Sequence, residues 1–481
     1  MQPITKLFIN GQETPCISGK QFPLIDPSTG KEWIKVDEAD KEDVEVAVNY
    51  AEKAWPAWNA QPAVVKAATM RKLGEVTLKY ANELSELECK TMGKTIATAR
   101  AEMQMIPMFC NFMASLVEIS VSTASTNMPG HLNYTLNQPY GVTAGILPWN
   151  GPLITFLTKV LPAVGAGNAI IVKSSEKAPI TPLVMGRICI EAGFPPGLIQ
   201  VLSGFGPTVG AALALHMRIR KISFTGSVAT GKLVQQMSAQ SNLKAVTLEL
   251  GGKSPVIIFP DADIPKAAQA CAVSILQNTG QICIASSRIY VHYSIRDEFL
   301  SAYQSTIKAM SQTTGSALDE NTTHGPQVDQ IQHDKIKQYL EIGKGEGKVL
   351  FGGDAPCMPG YFINPTVFTD VPDTARISRE EIFGPVSVVN TFETEEEAIR
   401  RANDSEFGLY AAVFSKNIDR ALRVASALES GAVGVNCTSP TAALDQPFGG
   451  YKQSGLGREF GVNALSYWKE TKSVFVKLES E

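Results

Sequence analysis

An α/β fold containing more than one parallel-sheet unit is what this sequence predicts, and three observations predict it. The chain has 481 residues, more than one ordinary hydrophobic core holds. From Tyr140 onward, short β-rich runs alternate with helical ones, the grammar of a parallel sheet with helices on its faces. The alternation then starts afresh near Pro255, which places a boundary near residue 252.

The N-terminal third reads as helical. In DKEDVEVAVNYAEKAWPAWNA, Val44, Ala47, Val48, Ala51, Trp55 and Trp58 recur at helical intervals, with Asp40 as the N-cap. A second helical region is expected over 62–92 and a third over 95–121. The strands expected next are VTAGILP, AIIVKSS, LIQVLSG and KISFTGS, with helical segments between them at 181–192 and 208–216. Open parallel sheets bind ligands beyond the carboxyl ends of their strands. The glycines of GFGPTVG (204–210) and FTGSVATG (224–231) fall at those ends, where backbone must turn or approach a ligand. PVIIF opens the second series, which continues through GPVSVVNTF and GAVGVNC. The closing SVFVKLES alternates like an edge strand, and HLNYTLNQPYGV (131–142) is a candidate partner for it in a projecting ribbon.

Composition narrows the function classes. Hydrophobic residues make up 44% and charged residues 19%, which describes a globular chain. A net charge of −4 with no dense Lys/Arg tract argues against a nucleic-acid partner. No apolar run is long enough to span a membrane, and the first residues, MQPITKLFINGQETP, resemble neither a signal nor a transit peptide, so a cytoplasmic address is expected. The 8 cysteines lie far apart, without CxxC pairs or Cys/His clusters; reduced thiols and no metal site are expected.

One of those cysteines, Cys283 in QNTGQICIASSRI, raises a sharper question. On residue type alone, cysteine packs more often than it reacts. The answer comes from six motifs in order: LPWN (147–150), FTGS (224–227), LELGGKSP (248–255), GQIC (280–283), EEIFGPV (380–386) and PFGGYKQSGLGRE (447–459). Together they resemble the aldehyde dehydrogenase superfamily, of the NAD(P)-dependent, non-acylating type, across essentially the whole chain. The resemblance implies a variant Rossmann cofactor domain (1–120 and 140–251), an α/β catalytic domain (252–468) and a small β oligomerisation ribbon (121–139 and 469–481). It also accounts for GFGPTVG, which departs from GxGxxG by one residue between its last two glycines. A homodimer or a tetramer of dimers is the expected assembly.

The chemistry implied by the resemblance needs particular side chains. Oxidising an aldehyde by hydride transfer requires a tetrahedral adduct, and a Cys283 thiolate would provide it, leaving a thioester for water to hydrolyse. A thiol of pKa about 8.5 is only slightly ionised at neutral pH, so the site must help it. Glu249 in LELGGK would be the base for water, its leucine neighbours suggesting the apolar walls that raise a carboxylate pKa. Asn150 would donate to the oxyanion together with the Cys283 N–H. Lys159 and Glu459 match positions that pass protons away from the base, with an ordinary surface pair as the alternative.

For the cofactor, the resemblance assigns Lys173 and Glu176 to the adenosine ribose, Glu381 and Phe383 to the nicotinamide ribose, and Gly226 and Ser227 to a helix start suited to pyrophosphate. Gly206 and Gly210 would line the adenine side, and Ile146, Leu147, Trp149, Phe224 and Leu250 complete the set. A carboxylate at Glu176 accepts from a ribose 2′-hydroxyl and repels a 2′-phosphate, which favours NAD over NADP; Ser174 in place of the common Pro and Lys177 next door weigh the other way.

The substrate pocket is assigned to Gly151, Thr155, Thr158, Ile282, Ile284, Ala442 and Phe448. Relatives acting on small aldehydes carry aromatics at the positions of Gly151, Thr158 and Ala442. Small residues there predict a wide entrance and a bulky aldehyde, aromatic, polycyclic or long-chain, unless Phe156 or Tyr410 refills the space. Two other enzyme readings, CoA acylation and a cysteine hydrolase, and a catalytically silent structural or binding relative remain as alternatives.

Overall fold

The computed structural model describes residues 2–439 and 443–478. Ala442 and the end of SVFVKLES therefore lie outside the described residues. The first helix, Lys41–Asn59, starts on a reciprocal cap: Asp40 accepts from the Glu42 N–H at 3.1 Å, and Asp43 accepts from the Asp40 N–H at 3.0 Å. Val44, Ala47, Val48, Ala51 and Trp58 are buried along one stripe, while Trp55 is half-buried. The region expected as one helix over 62–92 is two, Ala63–Lys79 and Ala81–Met92, broken at Tyr80. Ile96–Glu118 follows, stopping short of Val121. The helical reading of 208–216 resolves into one π-helical turn, Gly206–Gly210, running into a short helix, Ala211–Leu215.

Two sheets organise the molecule. In the first, five parallel strands lie in the order Ile199–Leu202, Ala169–Lys173, Val142–Ile146, Lys221–Thr225, Ala245–Glu249. The chain starts in the middle strand, builds outward one way, then returns and builds the other way. A topological switch point therefore lies between Val142–Ile146 and Lys221–Thr225, with a crevice beyond their carboxyl ends. All five are short, and four are almost wholly buried, as expected of strands covered on both faces, while Ala245–Glu249 is buried only at its last two residues. Gly455–Leu456 adds an antiparallel edge, pairing Glu249 with Gly455, and so brings the PFGGYKQSGLGRE segment to the end of the Glu249 strand.

The second sheet has six parallel strands, Thr366–Thr369, Val386–Phe392, Arg288–His292, Pro255–Ile258, Tyr410–Phe414 and Ala432–Val435, with Lys348–Phe351 antiparallel at one edge. Separately, His131–Pro139 pairs along its whole length with Lys469–Lys477, from His131 opposite Lys477 to Pro139 opposite Lys469, forming the ribbon that the alternating pattern predicts. Among the described residues, no helix is long and apolar enough to cross a membrane.

Candidate active site

The helix Ile264–Leu276 delivers the chain to Cys283 through an unusual backbone. Asn278, Thr279 and Gly280 all adopt left-handed conformations, with φ of 47°, 58° and 75°. Asn and Gly tolerate this region, whereas β-branched Thr279 is strained there at a cost of about 1–3 kcal/mol. At Gly280 even a methyl group is impossible, since a Cβ would stand 2.1 Å from the Gly384 carbonyl. Fully buried Gln281 over-determines the turn. Its Oε1 accepts from the Val328 N–H at 2.9 Å and its Nε2 donates to the Asn278 carbonyl at 3.0 Å. Gln327 Nε2 donates to the Thr279 carbonyl at 3.3 Å.

Cys283 emerges partly buried. Burial, then the negative charges of Glu381 and Glu249, push its thiol up to about 12. Asn150 lies across from it: Nδ2 donates to the Gln281 carbonyl at 3.0 Å. That uses one of two amide hydrogens and leaves one for an oxyanion.

Glu249 ends its strand buried, with a Cβ on Gly449 excluded because it would stand 2.8 Å from Glu249 Oε1. Its Oε2 has no hydrogen-bond partner among the described residues. Burial, reinforced by the charge of Glu459, raises this carboxyl well above the usual range, and Lys159 and Arg458 offset the rise only in part. Lys159, fully buried on the helix Pro152–Gly165, is ion-paired with Glu459. The pair is an internal one, not the surface pair of the alternative reading.

Beyond Cys283 and Glu249 opens a cavity of about 690 Å³ at the switch point, within the range of small-ligand sites. All the residues that the motifs assign to the cofactor line it: Ile146, Leu147, Trp149, Lys173, Glu176, Gly206, Gly210, Phe224, Gly226, Ser227, Leu250, Glu381 and Phe383. Ser227 caps the helix Val228–Gln240, accepting from the Thr230 N–H at 3.3 Å, so that helix presents its positive end to the cavity. Lys173 is buried and lies 3.4 Å from Glu176; burial lowers its pKa and Glu176 offsets this. Glu381 Oε1 accepts from the Gly252 N–H at 2.9 Å, in room that only a glycine at 251 leaves, since a Cβ there would come within 2.3 Å of Oε2. Phe383, at φ 60°, meets Trp149 edge-on with centroids 5.3 Å apart. Lys177 pairs with Asp329 at 2.7 Å and stands over the Trp149 ring, so its charge is already partnered.

Of the substrate-pocket assignments, Gly151, Thr155, Thr158, Ile282, Ile284 and Phe448 do not line this cavity, and Ala442 lies outside the described residues. A Cβ on Gly151 would meet no atom within 4 Å. Thr155 donates to the Gly151 carbonyl at 2.7 Å and buried Thr158 to the Thr155 carbonyl at 3.0 Å, so both hydroxyls are turned back onto their own helix. Ile282 and Phe448 pack against the apolar cluster that contains Ile284 and borders Cys283. Phe156 and Tyr410, the two residues proposed as fillers of the gap, are buried in the core clusters.

Several residues escaped the sequence reading. Gln332 donates to the Phe383 carbonyl at 2.8 Å and, with Lys335, lines the cavity from a helix lying between motifs. Phe460, at φ 58°, stands edge-on to both Phe109 and Phe448, with centroids 5.3 and 6.3 Å apart. Buried Lys221 donates to Thr247 Oγ1 at 2.9 Å and lies over the Trp468 ring; burial, then the charge of Lys159, lowers its pKa well below the usual value. Only the placement of Phe460 directly after the last motif gave any hint. No metal-holding cluster occurs among the described residues.

Comparison with known proteins agrees with this geometry. The family model "Aldehyde dehydrogenase family" matches residues 16–474. Aldehyde dehydrogenase 1A1 of Ovis aries is 40% identical over 483 residues, covering 99% of this chain and 96% of that protein. Retinal dehydrogenase 2 of Homo sapiens is 42% identical over 480 residues, covering 98% and 92%. Among solved structures, the indole-3-acetaldehyde dehydrogenase AldA of P. syringae, a mutant in complex with NAD+ and IAA, superposes with a TM-score of 0.97 at 36% identity, covering 99% of this chain and 97% of that one. Full-length similarity at this level, joined to a cysteine, a glutamate and an asparagine lining one cavity, places the chain in the aldehyde dehydrogenase family and makes it an aldehyde dehydrogenase enzyme.

Proposed function

We propose that the protein oxidises a bulky aldehyde to its carboxylic acid with NAD, through a thioester on Cys283. The observation that carries this reading is the convergence of Cys283, Glu249 and Asn150 on the same cavity as all thirteen cofactor assignments. The Cys283 thiolate adds to the carbonyl carbon, and the new alkoxide is held by Asn150 Nδ2 and the Cys283 N–H. NAD, when bound, accepts the hydride that leaves this adduct. Glu249 then takes a proton from the water that attacks the thioester, and collapse of that adduct expels the thiolate and releases the acid. The proton leaves Glu249 toward the Lys159–Glu459 pair.

Three finer points follow from particular residues. Glu176 on the ribose side, with Lys177 partnered by Asp329, favours NAD over NADP. A buried base beside the thiol favours hydrolysis over transfer to CoA. The open space at Gly151 favours a large substrate, in keeping with the retinal and indole-3-acetaldehyde dehydrogenases among its relatives. In this reading residues 1–120 and 140–251 hold the cofactor, 252–468 carry the nucleophile, and the ribbon of 121–139 and 469–481 joins subunits in a cytoplasmic homo-oligomer.

One assay tests the proposal: absorbance at 340 nm with NAD and a fused-ring or long-chain aldehyde, with and without CoA, repeated on Cys283→Ala. NADH formation that needs Cys283 but not CoA is the expected result. Equal silence of wild type and variant overturns the reading, and dependence on CoA replaces it with the acylating one.

A further inference from the structure

Asn278 holds the two oxyanion-binding segments together. Its Nδ2 donates to the Asn150 carbonyl at 3.1 Å and to the Gln281 carbonyl at 3.3 Å, while Asn150 Nδ2 donates to that same Gln281 carbonyl at 3.0 Å. Three bonds thus close a ring between residue 150 and the turn that presents Cys283. The Gln281 oxygen has two lone pairs, and both are occupied by side-chain amides.

The orientation of the Asn278 amide is forced. Turned the other way, its oxygen would face two carbonyl oxygens. As it stands, Oδ1 is buried with no partner among the described residues, so the group pays for its donor role with an unsatisfied acceptor. Position 278 also has φ of 47°. Asparagine is one of the few residues that tolerates the left-handed region, and the only common one that also carries two amide hydrogens.

We infer that Asn278 is a positioning residue for the oxyanion hole, setting the separation between the Asn150 amide and the Cys283 N–H by tying both segments to one side chain. Oxyanion donors act only when fixed at the place where charge develops, so loosening one donor costs rate without weakening cofactor binding. The inference extends the proposed reaction and rests on it for the choice of substrate.

Glycine separates the two reasons for asparagine, because it adopts the left-handed turn freely and lacks the amide. For Asn278→Gly, kcat for aldehyde oxidation is expected to fall on the order of 10-fold or more, with KM for NAD unchanged. In an Asn150→Ala background the same substitution is expected to cost almost nothing, since it acts through Asn150. Asn278→Asp keeps the volume and the turn but presents acceptors to two carbonyls, and is expected to lose at least as much. Hydrolysis of a nitrophenyl ester without NAD, which needs Cys283, the oxyanion donors and Glu249 but no hydride transfer, should show the same pattern; it tests Asn278 even if aldehyde oxidation itself is absent. Wild-type rates for Asn278→Gly in both assays overturn the inference, as does an equal loss in the presence and absence of Asn150. A crystal structure of Asn278→Gly with the Asn150 amide still on the Gln281 carbonyl overturns it as well.

Discussion

Fully buried Lys159 and half-buried Glu459 form an ion pair whose two charges act in opposite directions on Glu249. Glu459 reinforces the rise that burial imposes on the Glu249 carboxyl, and Lys159 opposes it. A protonated Glu249 takes no proton from water, so thioester hydrolysis increases as pH rises through its elevated pKa. Glu459→Gln removes the raising charge and should move that limb to lower pH. Lys159→Met removes the lowering charge and should move it to higher pH. Deacylation rates measured as a function of pH for the two variants check this, and shifts in the same direction would contradict it.

The thiol of Cys283 is pushed up to about 12, with Glu381 the first charge responsible after burial. Alkylation of the cofactor-free protein by iodoacetamide should therefore keep accelerating with pH well past the range in which an ordinary thiol levels off. Glu381→Gln keeps an acceptor for the Gly252 N–H while deleting the charge, so it should lower the thiol pKa and speed alkylation at neutral pH several-fold. An unchanged rate would show that Glu381 does not act on the sulfur.

Gly151 stands before the helix Pro152–Gly165 with φ −154° and ψ 61°, a backbone that residues other than glycine reach, and with empty space where a side chain would project. Gly151→Phe should fold and narrow the entrance. The expected result is a fall of about 10-fold in kcat/KM for a fused-ring aldehyde, with acetaldehyde kept or improved. Equal losses for large and small aldehydes would mean that Gly151 does not border the substrate path.

The residues legible in the sequence share a physical feature: their role is local. Asp40 caps the helix that its own neighbours form, and Gly226 and Ser227 sit at a turn that one strand and one helix define between them. Roles that depend on distant chain are harder to see. The Asn278 to Asn150 bond spans 128 positions and no periodicity announces it, while the Lys159 to Glu459 pair, spanning 300, is reached only through the family resemblance. The break at Tyr80 was missed because neither Gly nor Pro marks it. Lys221 was missed because a lysine opening an apolar strand looks like a solvated end, whereas here Trp468 covers it.

The ribbon of His131–Pro139 and Lys469–Lys477 offers a last prediction, because its two faces are chemically unlike. Side chains alternate across a strand, and directly opposed residues share a face. Leu132 pairs with Val476, Tyr134 with Val474 and Leu136 with Lys472, which makes one face largely apolar. The other face carries Asn133, Thr135 and Asn137, with Phe475 the sole large apolar side chain among Ser473 and Thr471. Ala124–Ser125 adds a short third strand beside His131–Pro139, but an apolar face on so small a sheet is unfavourable in water, and Leu132, Leu136 and Val476 are all exposed here. If subunits join through this element, they join on the Leu132 face. Leu136→Asp should then shift the molecular mass in light scattering toward the monomer, while Phe475→Ser leaves it near the wild-type value. The reverse pattern would place the contact on the opposite face, and two unchanged masses would remove the ribbon from the assembly altogether.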